Sequence, residues 1–352
     1  MDAPKGPQGG AMRGALRCFV LSCIAACAPA AAGVFLFAEG PSSLDPEPNR
    51  IAYPPGYSGF ETEVQISVCI HPDSESISDM KVPLLNTLAV WNELQPAAGN
   101  LRRNDPRLAL DEVDYESVLI HEVGHCIGLA HPNLASESGL PRPDQGYAKS
   151  LPGPEGYNLD PGADDVIGTR EDQRGNDTNL IWFRKGANDP FSFEDVIDAS
   201  TYTTDLSELP AGHSFAEIAA LQVSQFRGLA EEEAVMHQGA RFGATRRELS
   251  RNDATMIRLA QSGLDRTQGT ADDFTLRLEY RGIGDEGDCD ITVKTGGDRF
   301  AFCAARAAVS ADRALIRRGD IFMGSTDNFN WHFNTELRKG AETDLIFEDR
   351  FQ

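Results

Sequence analysis

Val64, Ile66, Val68 and Ile70 alternate with Glu63, Gln65, Ser67 and Cys69. Successive side chains of an extended chain point to opposite faces, so this run predicts a strand with one buried face. The same two-residue period returns at Phe274, Leu276, Leu278 and Tyr280. Apolar runs follow around Ile291, Phe300, Leu315, Phe329 and Leu345, with Gly and Asp between them. Together they predict a small all-β C-terminal domain over 267–352. Between the two strand-rich regions, 132–157 is rich in Pro, Gly and Ser and reads as loop. Further on, Phe215, Ile218, Ala219, Val223 and Phe226 recur at helical spacing and predict a helix packed by one face on the main body. There is no internal repeat.

The densest chemistry lies at 121–131, which reads HEVGHCIGLAH. Residues four apart share a helix face, so His121 and His125 present ring nitrogens to one point about 2 Å away, the usual zinc–nitrogen distance. Two imidazoles are too few for a catalytic zinc. Gly128, free to take the left-handed conformation that ends a helix, lets the chain turn so that His131 approaches the same point from the other side. Three ligands leave a fourth position open, where zinc lowers the pKa of a water to about 7. Glu122 stands beside that position as the candidate base. A closed structural site would need a fourth protein ligand. The nearest thiol, Cys126, points roughly 100° away from the ligand face and is expected to be a packing cysteine or a disulfide partner.

The extended pattern HExxHxxGxxH resembles that of the metzincin clan of zinc peptidases. The resemblance spans roughly residues 60 to 265 and implies an α+β catalytic domain over 33–266, a twisted mixed sheet with long helices. It implies a first long helix over 82–94, containing Trp91 and Asn92, and a methionine turn, matched best by Met236 in the run Ala234, Val235, Met236, His237. It also implies a last helix capped by Ser250, with Asp253 three residues on, and stopped by Gly263. Two features depart from the clan's usual form. The connection from His131 to Met236 is long, implying a large insertion at about 132–233. Gln238 stands where some members carry a zinc-binding tyrosine, so a matrixin-like arrangement fits better.

Composition narrows the setting. A formal charge of −22 over 352 residues argues against nucleic acid or anionic lipid as partner, since both select basic patches. Residues 1–32 read as an export signal: Arg13 and Arg17, an apolar stretch at 18–26 too short to span a bilayer, then Ala30, Ala31 and Ala32 as a cleavage site. An alternative is a lipoprotein signal, with Cys27 as the acylated residue of a lipobox-like 24–27. No later segment is apolar for long enough to cross a membrane. The mature chain keeps Cys69, Cys126, Cys289 and Cys303, an even set that suggests two disulfides in an exported protein. Cys289 with Cys303 across a hairpin, and Cys69 with Cys126 between strand and helix, are the expected pairs among three possible pairings.

A second metal is conceivable at Asn158, Asp160, Asp164 and Asp165, whose oxygens in a Gly-containing loop suit calcium, although a solvated loop fits the same composition. Trp331 and His332 read as buried aromatic structure rather than a ligand platform. His71, His213, His237 and His332 lack metal spacing and read as surface or hydrogen-bonded histidines, His237 lying nearest the site. The sequence thus predicts a secreted or periplasmic zinc endopeptidase acting on proteins or peptides, with His121, His125 and His131 on the metal and Glu122 as base. Two alternatives stay open: an adhesion protein on a retained peptidase scaffold, and a zinc amidohydrolase of a non-peptide substrate.

Overall fold

Val64, Ile66, Val68 and Ile70 are all buried in the strand that their alternation predicts. The computed structural model describes residues 33–38, 47–97, 100–131, 182–185, 197–205, 208, 233–237 and 239–341. The expected export segment with Cys27, the candidate calcium residues Asn158, Asp160, Asp164 and Asp165, the helix expected near 215–226, His213, Gln238 and Leu345 lie outside the described residues.

The main sheet has six strands among the described residues. They are β1 (Ile51–Tyr53), β2 (Glu63–Ile70), β3 (Thr275–Ile283), β4 (Ile291–Gly297), β5 (Ala301–Val309) and β6 (Arg313–Gly324). Their order is β3-β2-β4-β6-β5, with β1 beside the start of β6. Every pairing is parallel except β5 with β6, so one antiparallel strand forms an edge of a largely parallel sheet. The architecture is mixed α/β. The strands expected to stand apart as a C-terminal β module are instead part of this sheet, because β2 lies between β3 and β4 and pairs with both. Leu278, Ile291, Val293 and Ile321 therefore share one core with Val64, Ile66 and Val68.

Three helices pack around the sheet among the described residues: α1 (Ile77–Glu93), α2 (Tyr115–Cys126) and α3 (Arg251–Gln261). In α1, Met80, Leu84, Leu88 and Trp91 recur at helical spacing and are all buried. This helix begins before the expected 82, running through Pro83 from a start next to Ser76. Asn92 ends it with a second task. Its amide donates to the Leu278 carbonyl at 2.9 Å and accepts from the Leu278 N–H at 2.7 Å, covering the backbone groups that edge strand β3 would otherwise leave open.

Helix α2 starts at Asp114, whose carboxylate accepts from Ser117 N at 3.0 Å. Trp91 Nε1 donates to the Ile120 carbonyl at 3.1 Å and ties α1 to the middle of α2. Helix α3 begins with the expected Ser250–Asp253 capping box, and Gly263 (φ 74°) lies just past its end.

Two disulfides are present among the described residues, but their partners differ from the expected ones: Cys69 joins Cys289, and Cys126 joins Cys303. The Cys289–Cys303 hairpin assumed that the strands on either side were neighbours. In the sheet, β6 lies between β4 and β5, which puts two strand spacings, roughly 10 Å, between them. Trp331 is buried, with its Nε1–H donated to the Gly324 carbonyl at 2.8 Å and its ring against Phe300, as expected of a core aromatic. No helix among the described residues is long and apolar enough to cross a membrane.

Candidate metal centre

His121, Glu122 and His125 all lie on α2, whose helical repeat brings the two imidazoles to one face. The helix ends at Cys126, and Gly128 then adopts φ 123°, a left-handed conformation suited to glycine. A Cβ at this position would also meet the Ala52 carbonyl oxygen at 2.9 Å. Beyond the turn, Leu129–Ala130 pairs antiparallel with Val34–Phe35, and this two-residue ladder directs His131 back over the helix.

The three imidazoles converge. Their Nε2 atoms form a triangle with sides of 2.8 Å (His121 to His131), 3.0 Å (His121 to His125) and 3.1 Å (His125 to His131). The other ring nitrogens explain why Nε2 faces inward. His121 Nδ1–H donates to the Val235 carbonyl at 2.7 Å, and His125 Nδ1–H donates to the Leu129 carbonyl at 2.8 Å. Each bond fixes the proton on Nδ1 and leaves an Nε2 lone pair aimed at the common point. Burial, aided by His125 and His131, holds His121 well below the ordinary histidine pKa, so its ring is neutral, as a ligand must be. The group fits a metal ion bound by three nitrogens.

The triad opens on a cleft of about 420 Å³. Glu122, buried beside His121, lines it together with Val118, Ala240, Arg246 and Phe300. The first residues of β5, Ala301 to Cys303, form one wall, and the outer side of β5 pairs with no strand among the described residues. Compared with protein-family models, with curated proteins and with solved structures, the chain matches none.

Met236 is fully buried beneath α2. A Cβ on Gly124 would lie 2.4 Å from its sulfur, so the methionine occupies the space that a glycine leaves between Glu122 and His125. His237 is buried rather than on the surface, and neither of its ring nitrogens meets a hydrogen-bond partner among the described residues. Burial, and secondarily the Arg246 charge, lowers its pKa to about 3.

Several residues that shape the centre were not legible in the sequence as serving it. Asp253, besides capping α3, accepts from Val235 N at 3.2 Å, and Val235 is the residue whose carbonyl orients His121. Arg246 is buried under the 234–239 segment. Its guanidinium donates to the carbonyls of Ala234 at 3.4 Å and His237 at 3.3 Å, and to that of Gly239. Its backbone N–H donates to Ser117 Oγ at 2.7 Å, linking this segment to the first turn of α2. Burial lowers the Arg246 pKa to about 10, opposed by Glu233, and the guanidinium remains charged at neutral pH. The adjacent pair Arg246–Arg247 ahead of the Ser250 cap is the trace of this bracing in the sequence.

Proposed function

We propose that the chain is a zinc endopeptidase of metzincin-like, matrixin type, acting on extended peptides outside the cytoplasm. The observation that carries the reading is the placement of Glu122 in the same cleft as three converging imidazole nitrogens, beside a strand edge with no partner strand among the described residues. The donor set of three histidines suits zinc with one open coordination position. When bound, zinc supplies Lewis acidity that polarises a scissile carbonyl and acidifies water.

The chain's own residues do the rest. His121, His125 and His131 hold the ion, with Val235 and Leu129 fixing two of the rings. Glu122 takes the proton of the attacking water and delivers it to the departing amine. An extended peptide laid along β5 satisfies its backbone groups against the open edge, as an added strand does, and this favours a peptide over a small amide. Val118 and Ala240 offer an apolar wall to a side chain next to the scissile bond. Two disulfides accord with an oxidising compartment, and the export segment at 1–32 supplies the route to it.

The test compares the wild type with Glu122→Gln on casein and on a peptide library, with zinc content measured in both. Loss of cleavage by a factor of about 10² or more, with zinc retained, supports the reading. Equal cleavage removes Glu122 as base. A wild type that binds zinc but cleaves no peptide favours the non-peptide amidohydrolase or the adhesion protein.

A further inference from the structure

The two disulfides differ in where they sit. Cys69 and Cys289 are both buried. In the other pair Cys126 is fully buried, whereas Cys303 is half-buried and lines the cleft. Cys126 is the last residue of α2 and directly follows His125. Cys303 lies on β5 opposite Ile321 of β6, in the strand whose outer edge pairs with no strand among the described residues. Behind the bridge there is no space: a Cβ on Gly319 would meet Cys126 Sγ at 2.5 Å and Cys303 Sγ at 3.4 Å. The bridge is therefore backed by sheet backbone on one side and faces the cleft on the other.

We infer that the Cys126–Cys303 disulfide is a positioning strut for substrate, setting β5 at a fixed height beside His125, and that thiols reach it through the cleft. The inference rests on the peptidase reading. Among the described residues β5 has one strand ladder, to β6, which changes register between Arg306 and Ala307, and its other tie is non-covalent packing against α2. The bridge adds a covalent tie between the substrate-bearing wall and the helix that carries the ligands. A displaced β5 weakens the backbone hydrogen bonds that hold an extended peptide in ground state and transition state alike, so the loss falls on KM rather than on kcat. Reduction by a dithiol proceeds in two exchanges. One thiolate attacks Cys303 Sγ and releases the Cys126 thiolate. The second thiol then closes the reagent's own disulfide and releases the Cys303 thiolate, so the protein gains two electrons and the dithiol loses two.

The experiment has two arms, both on the full chain. In the first, brief exposure to dithiothreitol is followed by alkylation and peptide mass mapping. Cys126 and Cys303 should be labelled well before Cys69 and Cys289; equal or reversed labelling overturns the inference. In the second, Cys126→Ala/Cys303→Ala is compared with Cys69→Ala/Cys289→Ala, each loaded with zinc. Both pairs should lower the melting temperature. Only the first should raise KM for a long peptide, by about tenfold or more, with bound zinc unchanged and kcat changed much less. An equal KM change in the two pairs reduces the bridge to ordinary stabilisation and overturns the strut. A wild type that cleaves no peptide removes the peptidase reading, and with it any role toward substrate, while the labelling pattern judges the bridge on its own.

Discussion

His121 Nδ1 and the carbonyl oxygen of Val235 lie 2.7 Å apart, joining the ligand helix to the segment that carries Met236. The contact continues outward, since the N–H of the same Val235 is held by the Asp253 carboxylate at 3.2 Å. One residue of backbone thus relays the cap of α3 to an imidazole of the metal centre. The tautomer of His121 thus depends on the cap of α3.

Asp253→Ala is expected to act on metal binding as well as on stability. It leaves the buried Val235 and Ser250 N–H groups without their acceptor, at a cost of about 1–3 kcal/mol for each such group. It also frees the His121 ring, which should weaken zinc binding by about tenfold. Ser250→Ala removes the cap hydroxyl alone and should cost about 1 kcal/mol with zinc affinity kept. Denaturant melts and a zinc competition titration on both variants check this; equal zinc affinities would break the relay.

Gly124→Ala sets two effects against each other. Alanine is the better helix former by about 1 kcal/mol. Its Cβ, however, would lie 2.4 Å from Met236 Sδ and 3.0 Å from Trp91 Cζ2, and overpacking of that kind costs about 1–3 kcal/mol. Packing should win and the variant should be less stable. Met236→Ala alone should cost about 2–5 kcal/mol, and in the double variant the new methyl group finds room, so the double variant should lose less than the sum of the two single losses. Strict additivity in a double-mutant cycle would place the two residues out of contact.

Gly128→Ala tests the turn that delivers His131. Both the φ of 123° and the Ala52 carbonyl at 2.9 Å oppose a side chain there. The expected outcome is a loss of about 1–3 kcal/mol with a fall in zinc affinity, because relief of the strain moves the third ligand. Unchanged zinc affinity measured by competition would show that His131 is positioned independently of this turn.

Acidification should destabilise the metal-free chain. His121 is held below its ordinary pKa by burial and by its two neighbouring imidazoles, and His237 is lowered to about 3, chiefly by burial. The folded state keeps these rings neutral while the unfolded chain takes up protons from about pH 6.5 downward. Their contribution is therefore complete above about pH 6.5 and is lost progressively toward the folded values as the pH falls. Melting temperatures should decline from about pH 7 to about pH 5. His237→Leu, which removes one of these groups, should flatten the decline; an unchanged slope would mean that His237 is not buried neutral.

What could be read from sequence was what the chain fixes over a few residues. The spacing of His121 and His125, the turn at Gly128, the Ser250–Asp253 cap and the alternation of Val64 to Ile70 depend on helical or extended repeat geometry, which acts within a turn or a strand. The tertiary structure decided the rest. That Cys126 meets Cys303, that β3 and β4 flank β2 rather than forming a module of their own, and that Arg246 and Val235 serve the centre all depend on strand order and on packing between residues far apart in the chain. A strand's hydrophobic period gives its buried face but not its neighbour, since any strand edge offers the same donors and acceptors. Only closure of a common core selects among them.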